Sequence, residues 1–263
     1  MPDEPIVTEH ALARTYDGGH YTDGWTAVEQ YRRAVSYAHR NDVGSSATAA
    51  RLDMPRSRIR PWIDGDAVPE PIRAIDTGLE YGWLECGYGD PVFTGLNALV
   101  ANVFSGGSIA ASTYQLSFAL NHLGENASVV DALELANVSY RVVDDRDGRA
   151  DEVRPTEDGA VLGRVLSVLG APEGPKADQH LTLPSYLEDA PTDVRETFVC
   201  AYLENRAVDH DAKDTLTILE ERNRSYLESL AELIESVAGG RVELGEQYII
   251  ISADAAHSLG IVR

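Results

Sequence analysis

The sequence predicts an α+β protein in which an N-terminal helical unit precedes a duplicated domain of the order α-β-β-α-β-β-α. Two observations predict this class. Apolar residues recur at helical spacing near the N-terminus, and the later part of the chain repeats its pattern with an offset of about 100 residues. We place an N-terminal arm at residues 1–22, the helical domain at residues 23–88 and the duplicated domain at residues 89–263.

Four helices are predicted in the helical domain, and the fourth covers about residues 71–80. The first begins near Asp23, because apolar residues follow at intervals of three and four, and it ends at Asn41. A second helix covers residues 46–52. A third segment covers residues 55–63, and its Pro55 suits a first helical position, where no N–H needs a partner. The residues expected to bury the inner face of the second and third helices are Ala49, Leu52, Met54, Ile59 and Trp62. This spacing predicts a helix-turn-helix.

In a helix-turn-helix, the second helix lies in the major groove of DNA, and its N-terminal residues meet the base edges. The candidate DNA-binding residues are Arg51, Arg56, Ser57, Arg58 and Arg60. Two positions depart from the common pattern. Asp53 occupies the turn position that usually holds Gly, and Pro61 is expected to kink the recognition helix or end it early. The alternative is an ordinary small helical domain with an exposed, Arg-rich edge.

The net charge of −21 argues against a nucleic-acid partner, because phosphate binding favours a basic surface. Lys176 and Lys213 are the only lysines against 43 acidic residues, and this composition resembles that of proteins from salt-accumulating haloarchaea. In molar salt the screening length falls to about 3 Å, so local charge matters more than total charge. Residues 32–60 contain seven Arg and two Asp, a local charge of +5, whereas residues 91–263 carry −15.

The duplication comprises two repeats, at about residues 90–172 and 183–263. In each, an apolar helix is followed by a strand pair, an amphipathic helix, a second strand pair and a closing helix. The first strand pair is less distinct in the second repeat. The matched segments are 94–104 with 194–203, 115–120 with 215–219, 129–136 with 227–237, and 158–169 with 253–259. A repeat of this length indicates a domain duplication rather than a solenoid.

This order resembles the LAGLIDADG homing endonucleases, and the matching motif stretches are residues 99–109 and 198–208. The resemblance implies two sheets that form a saddle over DNA, and a carboxylate at the end of each motif helix that holds divalent metals. The aligned positions here are Gly106 and Asn205. Glu204 lies one residue from the second position, and Gly107 follows the first. One carboxylate cannot build the paired site, so the motif is degenerate.

The stretch Phe-Ser-Gly-Gly-Ser-Ile at residues 104–109 is similar to that of WhiA-type regulators. Those proteins combine a degenerate LAGLIDADG domain with a helix-turn-helix and do not cut DNA. The order differs here, since WhiA carries its helix-turn-helix after the LAGLIDADG part. The resemblance is therefore one of architecture. A helix cap or a strand bend also explains the two glycines.

We therefore expect a sequence-specific protein that binds double-stranded DNA without cutting it, most simply a transcriptional regulator. The alternatives are a protein-interaction or small-ligand module that uses its acidic second domain, and an active endonuclease with displaced acids. No phosphate-binding or dinucleotide motif occurs, and Cys86 and Cys200 form no zinc pattern, so no cofactor or metal is expected. With no signal peptide or membrane span in the sequence, the expected location is the cytoplasm.

Overall fold

The computed structural model describes residues 6–17, 19, 21–121, 127–144, 150–210 and 213–260. The helices that precede the duplicated domain are α1 (Glu9–Arg14), α2 (Gly24–Asn41), α3 (Ser45–Leu52), α4 (Arg56–Ile63) and α5 (Glu70–Glu80). Asp23 caps α2 by accepting a hydrogen bond from the backbone N–H of Thr26, 2.8 Å away, which explains why the helix begins where the sequence predicts.

The predicted N-terminal arm is in part a packed helix. Thr8 caps α1 through its side chain, and Leu12 and Ala13 are fully buried. The helix packs against α5 and α2. The expectation of an arm is therefore wrong for residues 6–16, because their few apolar side chains are buried in the core. Residues 1–5 lie outside the described part of the chain.

The duplicated domain has the same element order in both halves. The first half contains α6 (Pro91–Ser105), β1 (Gly107–Ile109), β2 (Leu116–Ala119), α7 (Ser128–Leu135), β3 (Tyr140–Val143), β4 (Glu152–Pro155) and α8 (Gly159–Val168). The second contains α9 (Thr192–Arg206), β5 (Ala207–His210), β6 (Lys213–Leu219), α10 (Arg224–Ala238), β7 (Val242–Leu244), β8 (Tyr248–Ile251) and α11 (Ala253–Ser258). The predicted α-β-β-α-β-β-α order is confirmed in both halves.

The two sheets have equivalent topologies. Their strand orders are β1-β2-β4-β3 and β5-β6-β8-β7, and every pairing within them is antiparallel. Helices α6 and α9 pack against each other at the centre, where the rings of Phe104 and Phe198 meet edge to face with centroids 6.1 Å apart. A short 3-10 helix (Ser185–Leu187) lies in the segment that connects the halves. The duplicated domain is thus organised about one pair of central helices.

The buried apolar residues form a large core and a small one. The large core joins both halves of the duplicated domain to Val28, Ile72 and Ile75 of the N-terminal helices. The small core contains Ala34, Ala49 and Ile59. Helices α3 and α4 are therefore held on α2 by their own core, while α1 and α5 pack on the duplicated domain. Among the described residues, no helix is both long and apolar enough to span a membrane.

Candidate nucleic-acid interface

Helices α2, α3 and α4 form a three-helix unit around the small core. Ala49 and Ile59 are buried, and Leu52, Met54 and Trp62 pack partly buried beside them. These are the five residues whose spacing predicts the inner face. The ring of Trp62 also meets that of Tyr31 on α2 edge to face, with centroids 5.6 Å apart. The unit is small, so its helix ends depend on specific polar contacts.

The turn between α3 and α4 shows why Asp can replace Gly at its first position. Asp53 has a φ of 54°, in the left-handed region that Asp and Asn tolerate better than other residues with a side chain. The next N–H, of Met54, donates to the carbonyl of Ala49 at 3.1 Å and closes the end of α3. The turn is therefore compact without a glycine.

A second contact ties the start of α3 to the end of α4. The carboxylate of Asp64, directly after α4, accepts hydrogen bonds from the hydroxyl of Ser45 at 2.6 Å and from its backbone N–H at 3.2 Å. These bonds to Ser45 hold the pKa of Asp64 below its usual range. An anion at a helix N-terminus also interacts favourably with the helix dipole. The relative position of the two helices is thus fixed at both ends.

The structure divides the candidate DNA-binding residues into two groups. The exposed ones are Arg51, Arg56, Ser57 and Arg60. Arg58 is half-buried, donates to the side-chain oxygen of Gln30 at 3.1 Å, and lies over the ring of Tyr21 at 4.9 Å. Its guanidinium therefore contacts α2 and the segment before it. Arg58 is placed to position α4, while the others face solvent.

Pro61 does not end α4 early. Helix α4 continues to Ile63, and the N–H after it donates to the carbonyl of Arg60 at 2.9 Å. The expectation of an early end is wrong for a local reason. The carbonyl that the proline ring crowds belongs to Ser57, in the first turn, where no earlier helical turn holds the backbone in place. Helices α3 and α4 are each eight residues long.

The C-terminal ends of α6 and α9 hold the two degenerate motif positions, and these positions face each other. A Cβ built on Gly106 would lie 3.6 Å from Cγ of Asn205. The amide nitrogen of Asn205 donates to the side-chain oxygen of Asn102 at 2.8 Å and to the hydroxyl of Ser105 at 3.0 Å. The place where the resemblance requires two carboxylates is thus filled by amide and hydroxyl groups that bond to one another.

Glu204, the acid next to Asn205 in the sequence, is hydrogen-bonded within the fold. Its carboxylate accepts a hydrogen bond from the backbone N–H of Ser128, at the start of α7, at 2.9 Å. It also accepts one from the side-chain nitrogen of Asn121 at 2.7 Å. Glu204 thus satisfies one of the free N–H groups that begin α7. Its contacts are those of a structural cap. Asn121 also donates to the side-chain oxygen of Asn205 at 3.1 Å, so one hydrogen-bond network joins Glu204 to the second motif position.

Gly107 has a packing role. A Cβ at this position would lie 2.6 Å from the ring of Phe118, which is closer than any real contact. The glycine therefore lets β1 pass directly over this buried ring. This steric requirement explains the second glycine of the motif without reference to chemistry.

Lys176 is a residue that sequence reasoning missed at this end of α6. Its ammonium donates to the carbonyls of Val103, Phe104 and Gly107, the last two at 3.1 and 2.9 Å. Burial, together with the nearby charges of Arg222 and Arg206, lowers the pKa of Lys176 to about 8. The one sequence signal was its rarity, since the chain has two lysines in total.

A buried acid balances the cations beside Lys176. Glu220 is buried and accepts hydrogen bonds from the hydroxyl of Tyr202 at 2.8 Å and from Nε of Arg206 at 2.6 Å. Nε of Arg222 lies 3.4 Å from the other carboxylate oxygen. The hydrogen bond to Glu220 raises the pKa of Arg206. The charged groups near the helix ends thus pair within the fold. The described residues contain no cluster of three or more His, Cys, Asp or Glu side chains suited to a metal ion.

Among known proteins, this chain is similar to several solved structures. No known family profile matches the chain, and no curated protein sequence matches it. Full-length WhiA from Thermatoga maritima is 8% identical with a TM-score of 0.44, and the match covers 70% of this chain and 61% of that one. The chain thus spans less than two thirds of the WhiA chain.

Two homing endonucleases solved with DNA are also similar. I-DmoI in complex with DNA and Mn is 12% identical with a TM-score of 0.41, covering 64% of this chain and 96% of that one. I-WcaI bound to its recognition sequence is 11% identical with a TM-score of 0.42, covering 75% and 89%. The two α-β-β-α-β-β-α halves, packed through α6 and α9, give this chain's duplicated domain an element order and packing that resemble the LAGLIDADG fold.

Proposed function

We propose that this chain is a sequence-specific DNA-binding protein that does not cut its target and acts as a transcriptional regulator. The observation that carries the proposal is the exposure of Arg56, Ser57 and Arg60 on α4, with Arg51 on the preceding helix. In a helix-turn-helix, such positions reach base edges in the major groove, where Arg can bond to guanine O6 and N7. The location that we propose is the cytoplasm.

The local charge supports this placement. Residues 32–60 carry +5 in a chain whose net charge is −21. Phosphate contacts supply most of the non-specific affinity for DNA, so the basic unit is the part of the chain best suited to bind the backbone. The duplicated domain is acidic, and DNA binding by its sheets is not required by the proposal.

The absence of cutting is supported by the chemistry of the central helix ends. Metal-assisted cleavage needs paired carboxylates that hold divalent ions against the scissile phosphate. Gly106 has no side chain, Asn205 is neutral and hydrogen-bonded, and Glu204 caps α7. We therefore expect binding without cleavage.

Affinity measurements on the full chain test the binding site. A target is first selected from randomised DNA duplexes, and binding is then followed by fluorescence anisotropy at fixed salt. Arg56→Ala and Arg60→Ala should each weaken binding by about 1–3 kcal/mol where the side chain contacts a base. Arg73→Ala on α5 is the matched control, because its side chain is 62% exposed and lies outside the unit. Unchanged affinity in both α4 variants would show the assignment to be wrong.

A cleavage assay tests the second half of the proposal. Supercoiled plasmid that carries the selected site is incubated with the full chain and Mg²⁺ or Mn²⁺. We expect the plasmid to stay supercoiled. Nicking that disappears on Glu204→Gln would identify an active endonuclease with a displaced acid instead.

A further inference from the structure

A groove of about 990 Å³ lies between α7 and α9, and the proposed function does not use it. Ala132, Leu135 and Cys200 contribute apolar groups to it, and the Leu135 side chain is among the exposed large hydrophobic ones. Asp131 and Glu196 are exposed at its edge. The described residues that line the groove include further acids but no Lys or Arg. The groove is thus apolar inside and acidic at its rim.

The internal symmetry of the domain supplies a counterpart. Since α6 corresponds to α9 and α7 to α10, the equivalent groove lies between α10 and α6. That position is occupied by the chain itself, through the segment of residues 171–191 that joins the two halves. Leu181 and Leu187 of this segment are buried.

Polar contacts show how the connecting segment lies in the counterpart groove. Lys176 binds the carbonyls at the C-terminal end of α6, and the hydroxyl of Tyr186 donates to Asn97, midway along that helix, at 2.7 Å. On the other side, the backbone N–H and carbonyl of Leu181 bond to the side chain of Asn223, at the start of α10, at 2.8 and 3.0 Å. The segment therefore follows α6 while it contacts α10.

The corresponding surface of the second half differs in charge. Counting back from Gly106 and Asn205, the residue equivalent to Asn97 is Glu196. In the first half, Asn97 accepts a hydrogen bond from Tyr186 of the connecting segment. In the second half, the equivalent Glu196 has an exposed carboxylate at the edge of the groove. With Asp131 across on α7 and Asp193 at the start of α9, the rim is suited to cations.

We propose that this groove docks an extended segment of a partner protein, with apolar side chains against the groove and Lys or Arg residues against its rim. The occupant would lie between α7 and α9 as the connecting segment lies between α10 and α6. The partner thus follows the course of residues 171–191, which are irregular apart from the short 3-10 helix, and adds a basic charge. This second binding surface is independent of the DNA contact proposed for α4.

Peptide selection on the full-length chain tests the proposal. Short random peptides displayed on phage are selected against the immobilised protein, and the enriched peptides are synthesised and measured by calorimetry. We expect apolar peptides that contain Lys or Arg. Glu196→Arg should weaken their binding by about tenfold, because it reverses a rim charge. The matched control is Glu235→Arg, an equally exposed change on α10 outside the groove, and it should leave the affinity within about twofold.

The cysteines give a site-specific readout. Burial raises the pKa of both Cys86 and Cys200 to about 11, but only Cys200 lines the groove. A bound peptide should slow the alkylation of Cys200, followed by mass spectrometry, and leave that of Cys86 unchanged. The proposal is overturned if no peptide is enriched, if the enriched peptides are acidic, or if Cys200 is not protected. Self-association of the chain that Glu196→Arg abolishes would also overturn it, because the occupant would be a second copy.

Discussion

Polar side chains are exposed to solvent on the three-helix unit, whereas they are hydrogen-bonded within the fold at the paired ends of α6 and α9. On the unit, Arg51, Arg56 and Arg60 extend into solvent. At the helix ends, Asn205 and Glu204 are bonded to neighbouring groups of the fold. The chain thus exposes charge where we propose DNA recognition. Where a nuclease would need free carboxylates, its polar groups are instead used in packing.

The same two regions also differ in the size of their cores. The unit is held by three buried apolar residues, whereas α6 and α9 lie within a core that extends through both halves of the domain. Local stability follows the amount of buried apolar contact, so the unit should open more readily than the central helices.

The largest expected effect comes from Ile59→Ala. Ile59 is fully buried in the small core, and its truncation should cost about 2–5 kcal/mol. We expect hydrogen exchange to accelerate in α3 and α4 while α6 and α9 keep their protection, and DNA affinity to fall sharply. The matched control is Ile234→Ala, which makes the same truncation in the large core. Simultaneous loss of protection in all four helices in the Ile59 variant would show that the two regions are one cooperative unit.

A smaller loss is expected from Lys176→Met, at the end of α6. The variant leaves the carbonyls of Val103, Phe104 and Gly107 without this donor, which should cost about 3 kcal/mol. Thermal unfolding measures this loss, and DNA affinity should be unchanged below the transition. Arg241→Met is the control, since its side chain is 77% exposed and should contribute less than about 0.5 kcal/mol. Equal stability in both variants would contradict the capping role of Lys176.

The smallest effect is expected from Arg58→Ala, and it distinguishes a residue that positions α4 from one that contacts DNA bases. Arg58→Ala removes a hydrogen bond to Gln30 and the contact over Tyr21, which should lower stability by about 1 kcal/mol. The affinity for DNA should fall less than in Arg56→Ala, and Arg58→Lys should not restore the lost stability, because a lysine lacks the planar fork of donors. A loss of affinity as large as that of Arg56→Ala, with stability unchanged, would place Arg58 on the bases.

Much of the fold follows from regular spacing in the sequence. Ala49 and Ile59 predict the small core because they lie on the inner face of short amphipathic helices. The offset between Gly106 and Asn205 predicts that the two motif positions meet, because repeated segments pack about a common axis. The element order of both halves could be predicted for the same reason.

The remaining features depend on contacts between distant residues. Lys176 caps a helix that ends about 70 residues earlier, and nothing local to it predicts that contact. Whether Glu204 or Asn205 faces Gly106 depends on the rotation of α9 by a single residue. Helix α1 is too short for a periodic pattern, so Leu12 and Ala13 gave no signal. Such outcomes are decided by tertiary packing rather than local pattern.

Cross-linking from each region to DNA tests the central claim most directly. A photo-reactive p-benzoylphenylalanine replaces Ser57 on α4 in one sample and Ser108 on β1 in another, both exposed positions. Each sample is irradiated on the selected duplex. We expect cross-links from position 57 to bases within the selected site, and we expect them to be lost when an unrelated duplex is used. Cross-links from position 108 with none from position 57 would contradict it and place the DNA on the duplicated domain.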